Sequence, residues 1–376
     1  MIDTTKGYYT VGDRVFYLKY DAMVYSTATN LPIQWNFNYA TFAKQAAAPR
    51  QYTTVLELYK RRAQQIRDTH DYVILAYSGG ADSQTILDAF LDNNIKLDEI
   101  WVDHQASMIE KSNYVLTTDT SAVNLPSEWF LVIKPKLEEI NKTHPDIKIH
   151  VSDACDSLMY DDNHDNVMDA SLNLGYTASY HALKRWRYIA DYARKMQDSC
   201  IDVCVIMGME KCIPYVDDNM RYGFMFTDAP LFFKSALLEY FYWTPDMPEI
   251  VVEQAHYIWD YLKANPSYLY SIMAYKLRSP TTWFHNRKTS FDSIVKHVVY
   301  PNWDNRIHQV NKQTIFNGEG SGYYTEFFSN EQFYNKWLSN RKSCLSLIDL
   351  QSNFHKVGDL YDINRHTNIH LLGKLK

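Results

Sequence analysis

Glycine is scarce in this chain. Its 376 residues include only 12, so the backbone has few places to turn left-handed or to approach a ligand without a side chain in the way. Cysteine is scarcer still: Cys155, Cys200, Cys204, Cys212 and Cys344 are odd in number and irregularly spaced. That pattern excludes a disulfide framework, and the lack of any CxxC pair excludes the usual zinc-binding spacing. Cys200 and Cys204 fall around one expected strand, whose alternating faces make shared metal ligation awkward. No apolar run approaches the roughly 18 residues of a membrane-spanning helix. The opening MIDTTKGYYTVGD has no basic-then-apolar signal pattern. A reducing cytoplasm and no membrane partner are therefore expected. The net charge of −6 provides no global basic field for nucleic acid. The local run KRWR (Lys184–Arg187) suits a solvated helix face, so a nucleic-acid substrate has little behind it.

What is present looks like a folded protein with a sizeable core: 46% hydrophobic and 22% charged residues. The length suits two or three domains, or one large domain with appendages. Aromatics reach 15%, with 30 tyrosines. Tyrosine combines a rigid apolar face with a polar end, which serves cores first and interfaces or base stacking second.

No repeat or low-complexity tract interrupts the chain. Residues 1–50 read as a β-rich extension: RVFYLKYDAMVY alternates in hydrophobicity after the turn signal Gly12-Asp13. Ala46–Arg50 forms a joint. From Tyr52, the spacing of Val55, Leu58, Tyr59, Ala63 and Ile66 predicts a helix. Expected strands at 72–77, 97–104, 147–153 and 200–208 then alternate with helices at 83–93, 127–142 and 179–197. This alternation predicts right-handed βαβ units, hence an α/β fold with a parallel sheet and helices on both faces. The domain would span residues 51–230. Residues 231–376 read as a mainly helical subdomain, carrying SALLEYFYWTP and VVEQAHYIWDYLKANP as amphipathic helices and no convincing further strand until the end. The final sixty residues give no clear assignment.

Two of the rare glycines sit together in VILAYSGGADSQTILDAF (Val73–Phe90), where a strand hands over to a helix. Glycine there lets backbone amides approach an anion, and the helix N-terminus favours negative charge. Neither the nucleoside-triphosphatase signature G-x-x-x-x-G-K-[ST] nor the dinucleotide fingerprint G-x-G-x-x-G occurs. What occurs is S-G-G-x-D-S, as Ser78, Gly79, Gly80, Asp82 and Ser83. It resembles the PP-loop of the ATP pyrophosphatase superfamily, which includes GMP, NAD and asparagine synthetases, tRNA thiolases and sulfonucleotide reductases.

The resemblance covers roughly residues 50–240 and implies a PP-loop/HUP-like fold with ATP and Mg²⁺ as cofactors. Amides from Gly79 to Ser83, with the Ser78 and Ser83 hydroxyls, would cradle the β,γ-pyrophosphate. Asp82 would hold Mg²⁺ and serve catalysis. At the end of the second strand, Asp103 either takes a ribose hydroxyl or caps the following turn. After the fourth strand, GMEKC (Gly208–Cys212) resembles the glycine-and-acid loop of asparagine-synthetase-like members. There Gly208 would line the nucleotide, Glu210 would bind Mg²⁺ and Lys211 a phosphate; the alternative is an exposed charged turn.

Other polar groups fit blander roles. Asp217, Asp218, Arg221 and Lys234 suit either an amino-acid-like substrate or surface ion pairs, the latter being favoured. DDNHD (161–165), with His164, suits a loop. The residues before the loop are too few for a glutaminase domain, and a zinc-binding cysteine cluster is missing. The resemblance thus implies an adenylating enzyme nearest the asparagine-synthetase-like branch. It would act on a small-molecule acceptor in a pocket around Arg221, Lys234, Lys276 and Arg278, with a homo-oligomer left open. The alternatives are sulfur transfer or sulfonucleotide reduction through Cys155 or Cys212, and a non-catalytic nucleotide-binding module.

Overall fold

The structure is a computed structural model that describes residues 4–16, 22, 25, 26, 28–104, 129–153, 189, 191–208, 212–217, 219–226, 237–269, 295–300 and 369–375. Strands β1 (Tyr8–Val11), β2 (Arg14–Phe16) and β3 (Ile33–Asn36) form an antiparallel sheet of order β2-β1-β3. The run RVFYLKYDAMVY, read as β-rich, is a strand over Arg14–Phe16 but helical at Ala22 and Tyr25, and its remaining residues lie outside the described ones. An alternating pattern of Tyr, Leu, Met and Ala is compatible with either period over so short a window. Helix α1 (Tyr39–Ala47) follows, and then α2 (Val55–Thr69). Thr54 caps α2 by accepting from the Glu57 amide at 3.2 Å. The anticipated stripe of Val55, Leu58, Tyr59, Ala63 and Ile66 is buried.

Strand β4 (Tyr72–Ala76), helix α3 (Ala81–Leu91) and strand β5 (Glu99–His104) come next. A short π-helical turn at Trp129–Ile133 leads into α4 (Lys134–Thr143) and strand β6 (Lys148–Asp153). Strand β7 (Val203–Met207) is buried at every position. A hairpin of β8 (Ile213–Val216) and β9 (Arg221–Met225) precedes β10 (Leu238–Tyr240), helix α5 (Glu249–Ala264) and β11 (His370–Lys374).

The central sheet has five parallel strands in the order β10-β7-β4-β5-β6. From β4 the chain steps outward to β5 and β6, then returns past β4 to lay down β7 and β10. This reversal is the strand order of doubly wound α/β sheets. On one face Trp101 stacks on His150 with centroids 3.7 Å apart, and Tyr192 packs against both rings.

Two expectations need correction. SALLEYFYWTP contains the edge strand β10 rather than a helix, because Leu237, Leu238 and Tyr240 to Thr244 are all buried. Burial that continuous suits a strand run better than one face of a helix. β10 is also a strand within residues 231–376 well before their end; β8 and β9, which precede that part and were not anticipated, join β11 in an antiparallel sheet of order β11-β9-β8. The long helix expected from VVEQAHYIWDYLKANP is present as α5, with Ile258, Trp259 and Leu262 buried. The N-terminal sheet shares the main core: Phe37 meets Phe226 at 4.9 Å, and Phe42 meets Phe226 at 4.5 Å. Among the described residues no helix is long and apolar enough to cross a membrane.

Between α2 and the edge strand β10, Arg62 donates to Glu239 and to the Tyr240 carbonyl, both at 2.6 Å. His70 bridges Glu239 and Asp202 at 3.3 Å each. Burial alone would raise the Glu239 carboxyl, but the His70 hydrogen bond and the Lys6 and Arg62 charges bring it down to about 2. The hydrogen bond to Glu239 holds His70 above its ordinary value of 6.5. Its stabilising contribution is therefore complete below the unfolded value and fades as pH rises through the raised folded one. Glu239 acts in the opposite sense, losing its contribution as pH falls from 4.5 towards about 2. Melting curves should show His70→Gln well below wild type near about pH 6, with the gap closing by about pH 9.

Candidate functional site

The site begins with the stiffness of β4. Val73, Ile74 and Leu75 are fully buried, and the Tyr77 amide extends the ladder by donating to the Trp101 carbonyl at 2.8 Å. The chain then turns through Gly79 at φ +73°, a left-handed conformation that costs a side-chain-bearing residue energy. Gly80 is the N-cap of α3, and no side chain caps the helix there. Its first-turn amides lack intrahelical acceptors, and the helix dipole adds positive potential at the same place.

The two serines brace this turn. The Ser78 amide donates to Ser83 Oγ at 3.1 Å, the two hydroxyl oxygens lie 3.3 Å apart, and Ser83 Oγ donates to the Gly80 carbonyl at 3.2 Å. Tyr77 Oη donates to Gln84 at 2.6 Å, which ties the entrance of the loop to the helix. Ser78 is exposed and Asp82 half-buried, so both can meet a ligand, whereas Ser83 is buried.

Gly208 directly follows β7 and presses on the same turn. A Cβ there would lie 2.7 Å from Ile86 Cδ1 and 3.0 Å from the Asp82 carbonyl carbon. The structure thus brings together Ser78, Gly79, Gly80, Asp82, Ser83 and Gly208, at the carboxyl ends of β4 and β7. Those are the strands between which the chain's direction across the sheet reverses, the crevice where open α/β sheets bind ligands.

Asp103 lies at the carboxyl end of neighbouring β5. It is 7% exposed, and its Oδ1 accepts from Ser152 on β6 at 3.1 Å. That bond ties two strands together. Glu210 and Lys211 lie outside the described residues, as do Asp218, Lys234, Lys276, Arg278, the 161–165 run, Lys184–Arg187, Cys155 and Cys344. Arg221 belongs to a hairpin: its Nε donates to Asp217 at 2.7 Å across the β8–β9 turn, the surface ion pair that was favoured. Cys204 and Cys212 are buried and Cys200 is exposed.

Sequence reasoning missed the tyrosines that hold Asp82. Tyr300 Oη donates to the Asp82 carboxylate at 2.5 Å, and Tyr242 Oη donates to the Asp82 carbonyl at 2.8 Å. Tyr59 packs against Tyr242 and donates to the Val299 carbonyl at 3.0 Å. Burial, reinforced by the Asp82 charge, raises the Tyr300 phenol well above its ordinary value, and burial likewise raises Tyr59. Both therefore remain neutral O–H donors. The abundance of tyrosine was visible in the sequence, but nothing marked these three.

Chemically, the loop offers amide and hydroxyl donors to an anion, with one carboxylate beside them. Among the described residues no cluster of three or more acidic, His or Cys side chains could hold a metal unaided. One carboxylate next to an anion cradle suits Mg²⁺, which keeps waters and takes phosphate oxygens as further ligands. The residues present therefore fit a magnesium–polyphosphate group.

In comparisons with known proteins the chain matches no family model, no curated protein and no solved structure. Gly79→Ala should destabilise the fold by about 1–2 kcal/mol, because alanine must adopt the left-handed turn. A urea midpoint measured without ligand checks this.

Proposed function

We propose that this chain is an ATP pyrophosphatase-type enzyme that adenylates a small-molecule acceptor and couples it to an amine or ammonia. The observation that carries this is the S-G-G-A-D-S turn joining β4 to an uncapped α3, beside Gly208 at the reversal point of the sheet.

The amides of Gly79 to Ser83 and the Ser78 hydroxyl bind the β,γ-pyrophosphate of ATP and leave the α-phosphate to the acceptor. An acceptor oxygen attacks the α-phosphorus, the bond to the bridging oxygen breaks, and pyrophosphate departs carrying the negative charge. Amide donors fixed before the reaction stabilise that charge without reorganising. Asp82 would hold Mg²⁺, which when bound would supply further charge neutralisation. An amine then displaces AMP from the acyl or equivalent adenylate. Asp103, at the carboxyl end of β5, would take a ribose hydroxyl, and Glu210 and Lys211, which follow β7 in sequence, would take the metal and a phosphate.

The sulfur-transfer alternative finds no support in Cys212, a 2% exposed thiol with little access to a nucleotide. Purified protein given Mg-ATP and a panel of carboxylic acids and amines should release pyrophosphate and exchange labelled pyrophosphate into ATP. Asp82→Ala should reduce the rate by at least about 100-fold. ATP binding with neither release nor exchange would reduce the protein to a nucleotide-binding module. Full activity in Asp82→Ala would remove the metal role.

A further inference from the structure

Asp82 is the residue on which distant parts of the chain converge. Its carbonyl oxygen accepts from Tyr242, just past β10, and its carboxylate Oδ1 accepts from Tyr300, at the end of residues 295–300. Gly208 abuts its backbone from β7. Tyr300 is 1% exposed, too enclosed to touch a substrate, and its own position is set from behind. The Val299 carbonyl beside it accepts from Tyr59 Oη, which in turn accepts from Gln254 of α5 at 2.8 Å. A bond this short between a neutral phenol and a carboxylate is charge-assisted and directional. It fixes the side-chain rotamer of Asp82 and engages Oδ1 of the carboxylate, while the residue as a whole is only half-buried.

From this geometry we infer that Tyr300 is a positioning residue for the metal-facing carboxylate, so that the C-terminal part of the chain completes a nucleotide site otherwise built by β4, α3 and β7. The inference rests on the proposed ATP-binding function. Tyr242 orients the main chain of the same residue, so its loss should disturb the amide cradle and the fold rather than the cation preference.

The test is calorimetric titration of full-length protein with ATP, once with Mg²⁺ and once with EDTA. Wild type should bind Mg-ATP more tightly than free ATP. Tyr300→Phe should reduce that preference about tenfold, the effect of losing a charged hydrogen bond, while binding of free ATP changes little. A purely structural defect would weaken both equally. In the Asp82→Asn background the preference should already be gone, and adding Tyr300→Phe should change nothing more. Tyr300→Phe with an undiminished magnesium preference overturns the positioning role alone. Wild type that binds no ATP overturns the functional proposal and the positioning role with it. If Tyr300→Phe does not fold, a wild-type structure with Mg²⁺ and a non-hydrolysable ATP analogue decides the matter. Tyr300 Oη still bonded to Asp82 Oδ1 supports the role, and Asp82 turned away from Tyr300 overturns it.

Discussion

A buried strand must hand over to a helix whose first turn carries no side-chain cap, and much of this structure answers to that constraint. β4 is enclosed by strands on both sides, so its chain leaves the sheet through a narrow opening. Glycine at the left-handed position and at the N-cap makes the turn possible. Ser78 and Ser83 satisfy part of the local hydrogen bonding. First-turn amides of a helix lack intrahelical acceptors, an arrangement that favours an anion.

Two polar assemblies do different work. Arg62, Glu239, His70 and Asp202 neutralise one another and lock β10 to α2. Burying Arg62 without Glu239 would leave an uncompensated charge, which is costly. The Asp82 carboxylate, by contrast, accepts a short bond from the buried Tyr300 phenol, a donor that carries no charge.

Much of this was legible in the sequence where the signal was local. The strands of the parallel sheet up to β7, helices α2, α3 and α5, and the glycine turn all follow from periodicity and turn chemistry within short windows. β10 was not legible, since LLEYFYWT carries apolar residues at both helical and strand spacing and only pairing with β7 decided between them. The β8–β9 hairpin was hidden because Pro214 and the exposed Arg221 obscure the strand pattern.

By itself, then, the sequence determined the α/β alternation and the loop chemistry of Ser78, Gly79, Gly80, Asp82 and Ser83, because each depends on residues adjacent along the chain. The tertiary structure alone decided the strand order that sets β7 beside β4, the approach of Gly208 to Asp82, and the choice of Tyr59, Tyr242 and Tyr300 from among 30 tyrosines. Such pairings join positions up to 240 residues apart. Their geometry is set by how the sheet and helices pack, which no local pattern encodes.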